Sequence, residues 1–168
     1  GCAYNCITCG GSCYAFKNFF YRNGPAHKSA DKLVEEISVI SDYFKAPIFL
    51  IGDLRQGGKK WAEAVIDGIK ELDLDNTVTF EVFDMVPMDW MKKIASSTPN
   101  WTLEISPESH DDAIRKIMGK PYTTAQMEET IKNALDLGTT KIDLYFMVGL
   151  SGQSYQSALD SVDYTRHL

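Results

Sequence analysis

Short apolar segments alternate along this chain with longer segments in which apolar residues recur at helical spacing. The short segments are rich in β-branched and aromatic residues and predict strands at residues 47–52, 77–83, 101–106 and 141–148. The longer segments predict helices at residues 30–45, 59–74, 88–97, 111–118, 124–137 and 155–168. This alternation is typical of an α/β protein whose strands form a parallel sheet with right-handed crossovers.

Signals at the predicted helix ends agree with this pattern. Ser29 can cap the first helix, and Asp31 is favourable in its first turn. Gly138 suits the left-handed position that follows a helix ending near residue 137. The sequence has no internal repeat, low-complexity tract or linker, so we expect one domain over residues 1–168.

Two of the predicted strands carry polar residues, although strands of a parallel sheet are usually apolar on both faces. In each of them one face is apolar, and the opposite faces carry Thr102, Glu104, Ser106, Asp143, Tyr145 and Met147. Glu81 adds a carboxylate to a third, otherwise apolar strand. Unpartnered buried carboxylates are costly, so we expect these faces to line a polar, ligand-holding interior. The alternative is an edge strand that faces water.

Composition narrows the class of protein. The apolar fraction of 44% and the charged fraction of 24% are those of an ordinary globular domain. The net charge of −6 does not support a nucleic-acid partner, and no apolar run is long enough to span a bilayer. No signal peptide is visible. The chain begins at Gly1 and ends at Leu168 inside a predicted helix, so we expect a segment of a larger protein.

All four cysteines lie within the first 13 residues. Cys2, Cys6 and Cys9 have the spacing C-x3-C-x2-C, and three thiolates on one short loop can bind a single small inorganic cluster. A [4Fe–4S] cluster held by three cysteines keeps one iron open to a further ligand, whereas the usual electron-transfer cluster is closed by four. The spacing therefore favours an iron–sulfur cluster with one open iron.

Cys13 leaves other interpretations open. It could be a fourth ligand, either to zinc or to a closed cluster. Zinc sites usually combine two short cysteine pairs separated by a longer stretch, and no second pair is present. A disulfide framework would distribute cysteines through the fold. We expect Cys13 to be a free thiol, with zinc binding and structural or oxidised cysteines as alternatives.

The stretch CAYNCITC at residues 2–9 resembles the cluster motif of the radical S-adenosylmethionine (radical SAM) superfamily. Four further stretches follow this family in order. IFLIGD resembles its second strand, ISPES the end of its fourth, DDAIRKIMGK the helix that comes next, and FMVGLSGQ its fifth-strand signature. The resemblance covers essentially the whole chain.

The resemblance implies a partial (β/α)6, TIM-like barrel whose first and sixth strands lie outside this segment. It also implies that Cys2, Cys6 and Cys9 bind three irons of a [4Fe–4S] cluster and that S-adenosylmethionine (SAM) binds the fourth. The expected reaction is reductive cleavage of SAM to a 5′-deoxyadenosyl radical, which acts on an unknown substrate. An electron donor such as flavodoxin or ferredoxin and a reducing cytoplasmic location are then expected.

By the same resemblance, specific residues contact the methionyl part of SAM. Gly52 and Asp53 should meet its amino group, although the family usually has glutamate where this chain has Asp53. Glu108 should contact the ribose or the methionyl part, with Ser106 just behind it, and Lys120 should meet the carboxylate. The structural alternatives are a turn at a strand end for Asp53 and a purely structural role for Lys120.

The adenine is expected against the backbone around Gly149, beside Met147. Thr8, which stands where the family usually has an aromatic residue, could still meet the adenine edge with its backbone. Gly149 could equally form a simple strand-to-helix turn.

Polar candidates cluster at one end of the predicted strands. The residues at or just after the carboxyl ends of these strands are Asp53, Asp84, Ser106, Glu108 and Gly149. In parallel βα barrels that edge carries the chemistry. Residues with only structural roles would not be expected to converge there.

The sequence indicates the reaction subclass less specifically than it indicates the superfamily. The Ser-Pro-Glu-Ser stretch and the Gly149 signature resemble cobalamin-associated members, so we expect methyl transfer or a rearrangement, with cobalamin held by a domain outside this chain. The alternatives are a methylthiotransferase-like enzyme and a non-catalytic zinc module built on four cysteines. Glu81, Asp84 and Tyr145 could face the substrate.

Overall fold

The computed structural model describes residues 1–168 and confirms the α/β architecture with a parallel sheet. The strands are β1 (Ile48–Leu50), β2 (Val78–Val82), β3 (Trp101–Glu108) and β4 (Lys141–Phe146). They form one parallel sheet in the order β1-β2-β3-β4. A parallel pair requires a crossover connection, and helices provide it between each pair of consecutive strands. The carboxyl ends of the four strands therefore lie at one edge of the sheet.

The helices are α1 (Cys13–Phe19), α2 (Ala30–Tyr43), α3 (Lys59–Glu71), α4 (Met88–Ser97), α5 (Asp112–Met118), α6 (Thr124–Asp136) and α7 (Tyr155–Thr165). A 3₁₀ turn (Leu54–Gly57) follows β1. All the helices predicted from the sequence are present, with ends within three residues of the predicted ones. None of the helices combines the length and the apolar character needed to cross a membrane.

Local capping explains where these helices begin and end. Ser29 caps α2 as predicted, because its hydroxyl accepts a hydrogen bond from the Lys32 amide. Thr123 and Gln126 form a reciprocal capping box at the start of α6. Gly138 follows the end of α6 with φ of +83°, the left-handed conformation expected from the sequence.

The core lies between the helices and one face of the sheet. Alternate strand residues are buried against α2, α3, α4 and α6, and they are Ile48, Leu50, Val78, Phe80, Val82, Trp101, Leu103 and Ile105. The intervening residues lie on the other face, where the Thr79 and Thr102 hydroxyls are 2.8 Å apart. The period-2 alternation of the sequence thus separates an apolar face from a polar one, as predicted.

The end of β3 differs from the prediction. This strand continues two residues beyond residue 106, and its pairing with β4 shifts between Ile105 and Glu108, which is a β-bulge. Pro107 cannot donate to the ladder, which suits a bulged position. Glu108 has φ of +68°, a left-handed conformation that is uncommon outside glycine and costs about 1–3 kcal/mol. The bulge and this conformation set the direction of the Glu108 side chain.

Helix α1 was not predicted from the sequence. It is a short helix that begins directly after the cysteine loop, and its cap is Ser12, whose hydroxyl accepts from the Ala15 amide at 3.3 Å. Only Ala15 of this helix is buried, so the apolar periodicity that indicates longer helices is absent.

Candidate functional site

A cavity of about 800 Å³ opens at the carboxyl edge of the sheet. It brings together most of the site residues expected from the sequence, namely Cys2, Cys6, Cys9, Gly52, Asp53, Ser106, Glu108 and Lys120. These residues come from the N-terminal loop, from the ends of β1 and β3, and from the segment after α5. Thr8, Met147 and Gly149 do not line this cavity.

The cysteine loop lines the cavity, and its sulfur atoms have few polar partners. The Cys2 sulfur accepts from the Tyr4 amide at 3.4 Å and from the Gln56 side-chain amide at 3.3 Å. The Cys9 sulfur accepts from the Gly11 amide at 3.3 Å. Cys13 lies outside the cavity, and its own amide donates to the Tyr4 carbonyl at 2.8 Å. All four cysteines are free thiols.

The cysteine loop also lies against the end of α5. The Ile7 amide donates to the Met118 carbonyl at 3.3 Å. Gly119 follows with φ of +86°, and a Cβ atom placed there would lie 3.0 Å from the Asn5 carbonyl oxygen and 3.3 Å from the Cys6 Cα. Only glycine fits both the conformation and the close approach.

Tyr4 connects the cysteine loop to the end of β2. Its hydroxyl donates to an Asp84 carboxylate oxygen at 3.4 Å, and its ring packs edge-on against Phe83. Burial, and then the negative charge of Asp84, raises the pKa of Tyr4 to about 12. The phenol therefore stays protonated and remains a hydrogen-bond donor at neutral pH.

The Asp53 carboxylate is buried and fully engaged. It accepts from the amide, Nε and terminal guanidinium nitrogens of Arg55, and from the Phe83 amide at 3.0 Å. Arg55 in turn donates to the Met85 and Asp84 carbonyls. These contacts join the end of β1 to the end of β2. They agree with the structural alternative for Asp53, which is a turn at a strand end.

Glu81 presents a second carboxylate to the same cavity. It accepts a short hydrogen bond from the Gly52 amide, and Gly52 has φ of +94°. Burial raises the pKa of the Glu81 carboxyl, the Gly52 amide and Lys120 lower it, and Asp53 raises it further. The Glu81 carboxylate thus has one hydrogen-bond donor and no ion-pair partner, whereas the Asp53 carboxylate is fully engaged.

Glu108 and Lys120 form a buried ion pair in the cavity wall. The Lys120 ammonium lies 3.0 Å from a Glu108 carboxylate oxygen, and their side chains are only 7% and 13% exposed. An ammonium group has three donors, so Lys120 can serve Glu108 and a further anionic group at once. Lys120 is buried, and its contact with Glu108 is also compatible with the structural alternative considered for it.

Burial and several nearby charges act on the Cys6 thiol. Burial raises its pKa, Lys120 opposes this rise, and Cys2, Cys9 and Glu108 add to it. Thiols that bind a metal must lose their protons, and a nearby ammonium favours that loss.

The donor set fits an iron–sulfur cluster. Three free thiols line one cavity beside a lysine, and backbone and side-chain N–H groups donate to two of the sulfurs. No group of three or more His, Cys, Asp or Glu side chains lies close enough together to hold a single metal ion. A cluster requires less proximity, because each thiolate binds a different iron.

Met147 and Gly149 belong to a turn after β4. Gly149 has φ of +87°, and its amide donates to the Gln153 side chain at 2.8 Å. The Gln153 side chain also donates to the Met147 carbonyl at 3.1 Å. The strand-to-helix turn weighed for Gly149 is therefore present. Thr8 is exposed on the cysteine loop. The contacts of Thr8, Met147 and Gly149 with adenine stay predictions.

A row of carboxylates crosses the polar face of the sheet. Glu81 pairs in register with Glu104, and Glu104 pairs with Asp143. Burial, and then the charges of Glu81 and Asp143, raises the pKa of Glu104. Asp143 is paired with Lys141 at 2.8 Å. Only Glu81 of this row lines the cavity, and Tyr145 is exposed.

Sequence reasoning missed Arg55 and Gln56, which hold the edge of the sheet and the cysteine loop together. Both follow β1 within a 3₁₀ turn. The available signal was their position, because polar side chains directly after a parallel strand lie at the edge that carries function.

The family model described as "Radical SAM superfamily" matches residues 1–165. No curated protein matches the chain. SuiB of Streptococcus suis has a similar structure, with a TM-score of 0.64 and 16% identity over 97% of this chain and 34% of SuiB. SuiB bound to S-adenosylmethionine gives the same TM-score, with 17% identity over 97% of this chain and 35% of SuiB.

A third solved structure is that of OxsB, described as a cobalamin-dependent S-adenosylmethionine radical enzyme. Its TM-score is 0.53, with 15% identity over 84% of this chain and 23% of OxsB. The chain thus spans about a third or less of the length of these proteins. At these identities the likeness shows a shared fold.

Gly119→Ala should disturb the cysteine loop, and Gly138→Ala is its matched control. Both glycines have positive φ, so both variants should lose about 1–2 kcal/mol of stability from backbone strain. Only at Gly119 does the added Cβ contact the loop. We expect faster amide hydrogen exchange at Ile7 in Gly119→Ala than in Gly138→Ala. Equal exchange in the two variants would contradict the close approach.

Glu104→Gln should change the pH dependence of stability. The raised pKa of Glu104 means that the folded state holds its proton more tightly than the unfolded state. Ionisation therefore destabilises the folded state as pH rises above the ordinary value of 4.5. We expect the variant to be more stable than the parent at pH 7 and equally stable near pH 4, as measured by urea unfolding. Glu71→Gln, at an exposed carboxylate without an ion pair, should show no such difference.

Proposed function

This chain belongs to the radical SAM superfamily, and on that premise we propose that it binds a [4Fe–4S] cluster and SAM in the cavity at the carboxyl edge of the sheet. This proposal rests mainly on one observation: three free thiols, three carboxylates and a buried lysine line the same cavity. The superfamily consists of enzymes, so the chain is proposed to act in catalysis rather than as a structural metal module.

Cys2, Cys6 and Cys9 are the proposed ligands of three irons. All three residues line the cavity, whereas Cys13 does not, which supports three protein ligands and one open iron. The nearby Lys120 ammonium favours loss of the Cys6 proton and offsets the negative charge of the thiolates.

The charges in the cavity are complementary to the methionyl part of SAM. Glu81 and the region of Gly52 and Asp53 provide the acidic side, where the ammonium group would bind. Lys120 provides the basic side, where the carboxylate would bind. Glu81 has only one backbone donor, so it is better placed than the engaged Asp53 carboxylate to accept from the ammonium.

Glu108 and Ser106 are proposed to contact the ribose or the adjacent methionyl atoms. Both residues line the cavity, and the ion pair with Lys120 fixes the Glu108 carboxylate. Thr8, Met147 and Gly149 remain the proposed adenine contacts. Gly149 and Met147 lie in the turn after β4, at the same edge of the sheet.

The bound cofactors would supply one-electron reduction of the SAM sulfonium, which yields methionine and a 5′-deoxyadenosyl radical that takes hydrogen from a substrate. The protein's own residues would orient the sulfonium, fix the amino-acid end of SAM by charge, and exclude water. A flavodoxin or ferredoxin is the proposed electron donor, in the cytoplasm.

The subsequent reaction is proposed to be methyl transfer or a rearrangement assisted by cobalamin. The Ser-Pro-Glu-Ser stretch before α5 and the turn at Gly149 support this subclass, as does the fold shared with OxsB. Cobalamin would be held by a domain outside these 168 residues, and the chain would be the core of a longer enzyme with a first and a sixth barrel strand.

Single cysteine variants test the proposed ligands. After anaerobic reconstitution, the parent chain should contain about four irons and cleave SAM to 5′-deoxyadenosine under strong reductant. Cys2→Ala, Cys6→Ala and Cys9→Ala should each lose most of the iron and all measurable cleavage. Cys13→Ala is the matched control and should retain both.

Two results would contradict this proposal. A colourless parent protein with one tightly bound zinc would favour a zinc module, as would loss of metal in Cys13→Ala to the same extent as in the other variants. A cluster that survives loss of any one of the three cysteines would contradict their assignment.

The cobalamin subclass has its own test, in protein expressed from the complete reading frame. We expect anaerobically prepared protein to bind cobalamin stoichiometrically and to need it for turnover, although SAM cleavage proceeds without it. About eight irons and no cobalamin would favour the methylthiotransferase-like alternative, which normally needs a second cluster.

A further inference from the structure

Gln56 has its side chain held at both ends between the 3₁₀ turn and the cysteine loop. Its Oε1 accepts from the Ala3 amide at 2.7 Å, and its Nε2 donates to the Cys2 sulfur at 3.3 Å. The residue is half-buried and lines the cavity. No role for Gln56 follows from the sequence motifs, because it lies beyond the IFLIGD stretch.

The orientation of this amide is fixed by chemistry. The Ala3 backbone nitrogen can only donate, so the group facing it must be the Gln56 oxygen. The Gln56 NH₂ group then faces the sulfur, which as a thiolate can only accept. The opposite orientation would place two donors against each other at Ala3.

The position of Gln56 is also rigid. Its backbone belongs to a 3₁₀ turn in which Asp53 caps Arg55, and the Gln56 amide donates to the Asp53 carbonyl at 3.0 Å. Gly58 closes the turn by donating to the Arg55 carbonyl at 3.1 Å. The side-chain donor is thus presented to the sulfur by a preorganised segment rather than by a mobile loop.

The three cavity sulfurs differ in the hydrogen bonds they receive. Cys2 accepts two, from Tyr4 and Gln56, and Cys9 accepts one from Gly11. The Cys6 sulfur is not among the hydrogen-bonded ones. The positive charge of Lys120 acts on it instead and lowers its pKa against the effect of burial. Of these donors only Gln56 is a side chain from another part of the chain, so it alone can be changed without altering the loop itself.

We propose that Gln56 is a positioning residue that makes the cluster easier to reduce by donating a hydrogen bond to the Cys2 thiolate. This role rests on the proposed function. Reduction adds negative charge to the cluster, and an N–H donor to a ligand sulfur stabilises that charge. Loss of the donor therefore shifts the reduction potential to a more negative value.

The test is an anaerobic redox titration of the reconstituted chain, in which electron paramagnetic resonance measures the fraction of reduced cluster at each potential. Gln56→Leu removes both hydrogen bonds. Gln56→Glu keeps the acceptor for the Ala3 amide, removes the donor to sulfur and adds negative charge. We expect each variant to lower the equilibrium constant for one-electron reduction about tenfold or more, which corresponds to a shift of about −59 mV.

Asn5→Leu is the matched control. The Asn5 side-chain oxygen braces the same loop by accepting from the Tyr14 backbone amide at 2.8 Å. The Asn5 side chain makes no hydrogen bond to a sulfur. We expect its reduction potential to equal that of the parent. A purely bracing role of Gln56 would give equal shifts in Gln56→Leu and Asn5→Leu, because each variant loses one brace of the loop and only Gln56→Leu also loses a donor to sulfur.

Each other outcome is decisive. Potentials of both Gln56 variants equal to that of the parent would overturn the proposal while leaving the proposed function intact. Loss of the cluster in both Gln56 variants but not in Asn5→Leu would show that Gln56 retains the cluster rather than tunes it, and would also overturn it. A parent chain that takes up no cluster would refute the proposed function and, with it, this role.

Discussion

The site depends on how the cysteine loop is held against the carboxyl edge of the sheet. The loop has almost no apolar side chains of its own to bury, so specific polar contacts position it. The Gln56 side chain holds Ala3, Asp84 holds Tyr4, and the end of α5 holds Ile7. Each of these partners lies at or just after a strand or helix end, so the rigid scaffold determines where the sulfurs lie.

The alternation of side chains in the strands creates the two environments that the site needs. One face of the sheet is packed by helices and stabilises the fold, and the other carries Glu81, Ser106 and Glu108 toward the cavity. Two of the three cavity carboxylates have an ion-pair partner, since Lys120 neutralises Glu108 and Arg55 neutralises Asp53. Glu81 has no such partner and accepts only from the Gly52 amide.

Asp53 occupies the motif position of the family's glutamate, but its side chain does not make the contact expected of that position. The sequence places a carboxylate where the family has its glutamate, directly after β1. In the structure this shorter side chain is turned to Arg55 and the Phe83 amide, and Glu81 from the neighbouring strand faces the cavity beside Gly52. A carboxylate is thus present near the expected location, but it is supplied by another strand.

The sequence by itself determined the elements whose signals are local. Apolar periodicity gave the parallel sheet and six of the helices, cap residues such as Ser29 and Gly138 marked helix ends, and close spacing brought Cys2, Cys6 and Cys9 onto one loop.

The tertiary structure decided the contacts between distant residues, such as Gln56 with Cys2 and Gly119 with Asn5. It also decided the bulge in β3, the left-handed backbone of Glu108 and the ion pair of this residue with Lys120. The physical reason is that backbone periodicity and capping act over a few residues. Hydrogen bonds, ion pairs and close approaches between separate segments exist only after the core has fixed where those segments lie.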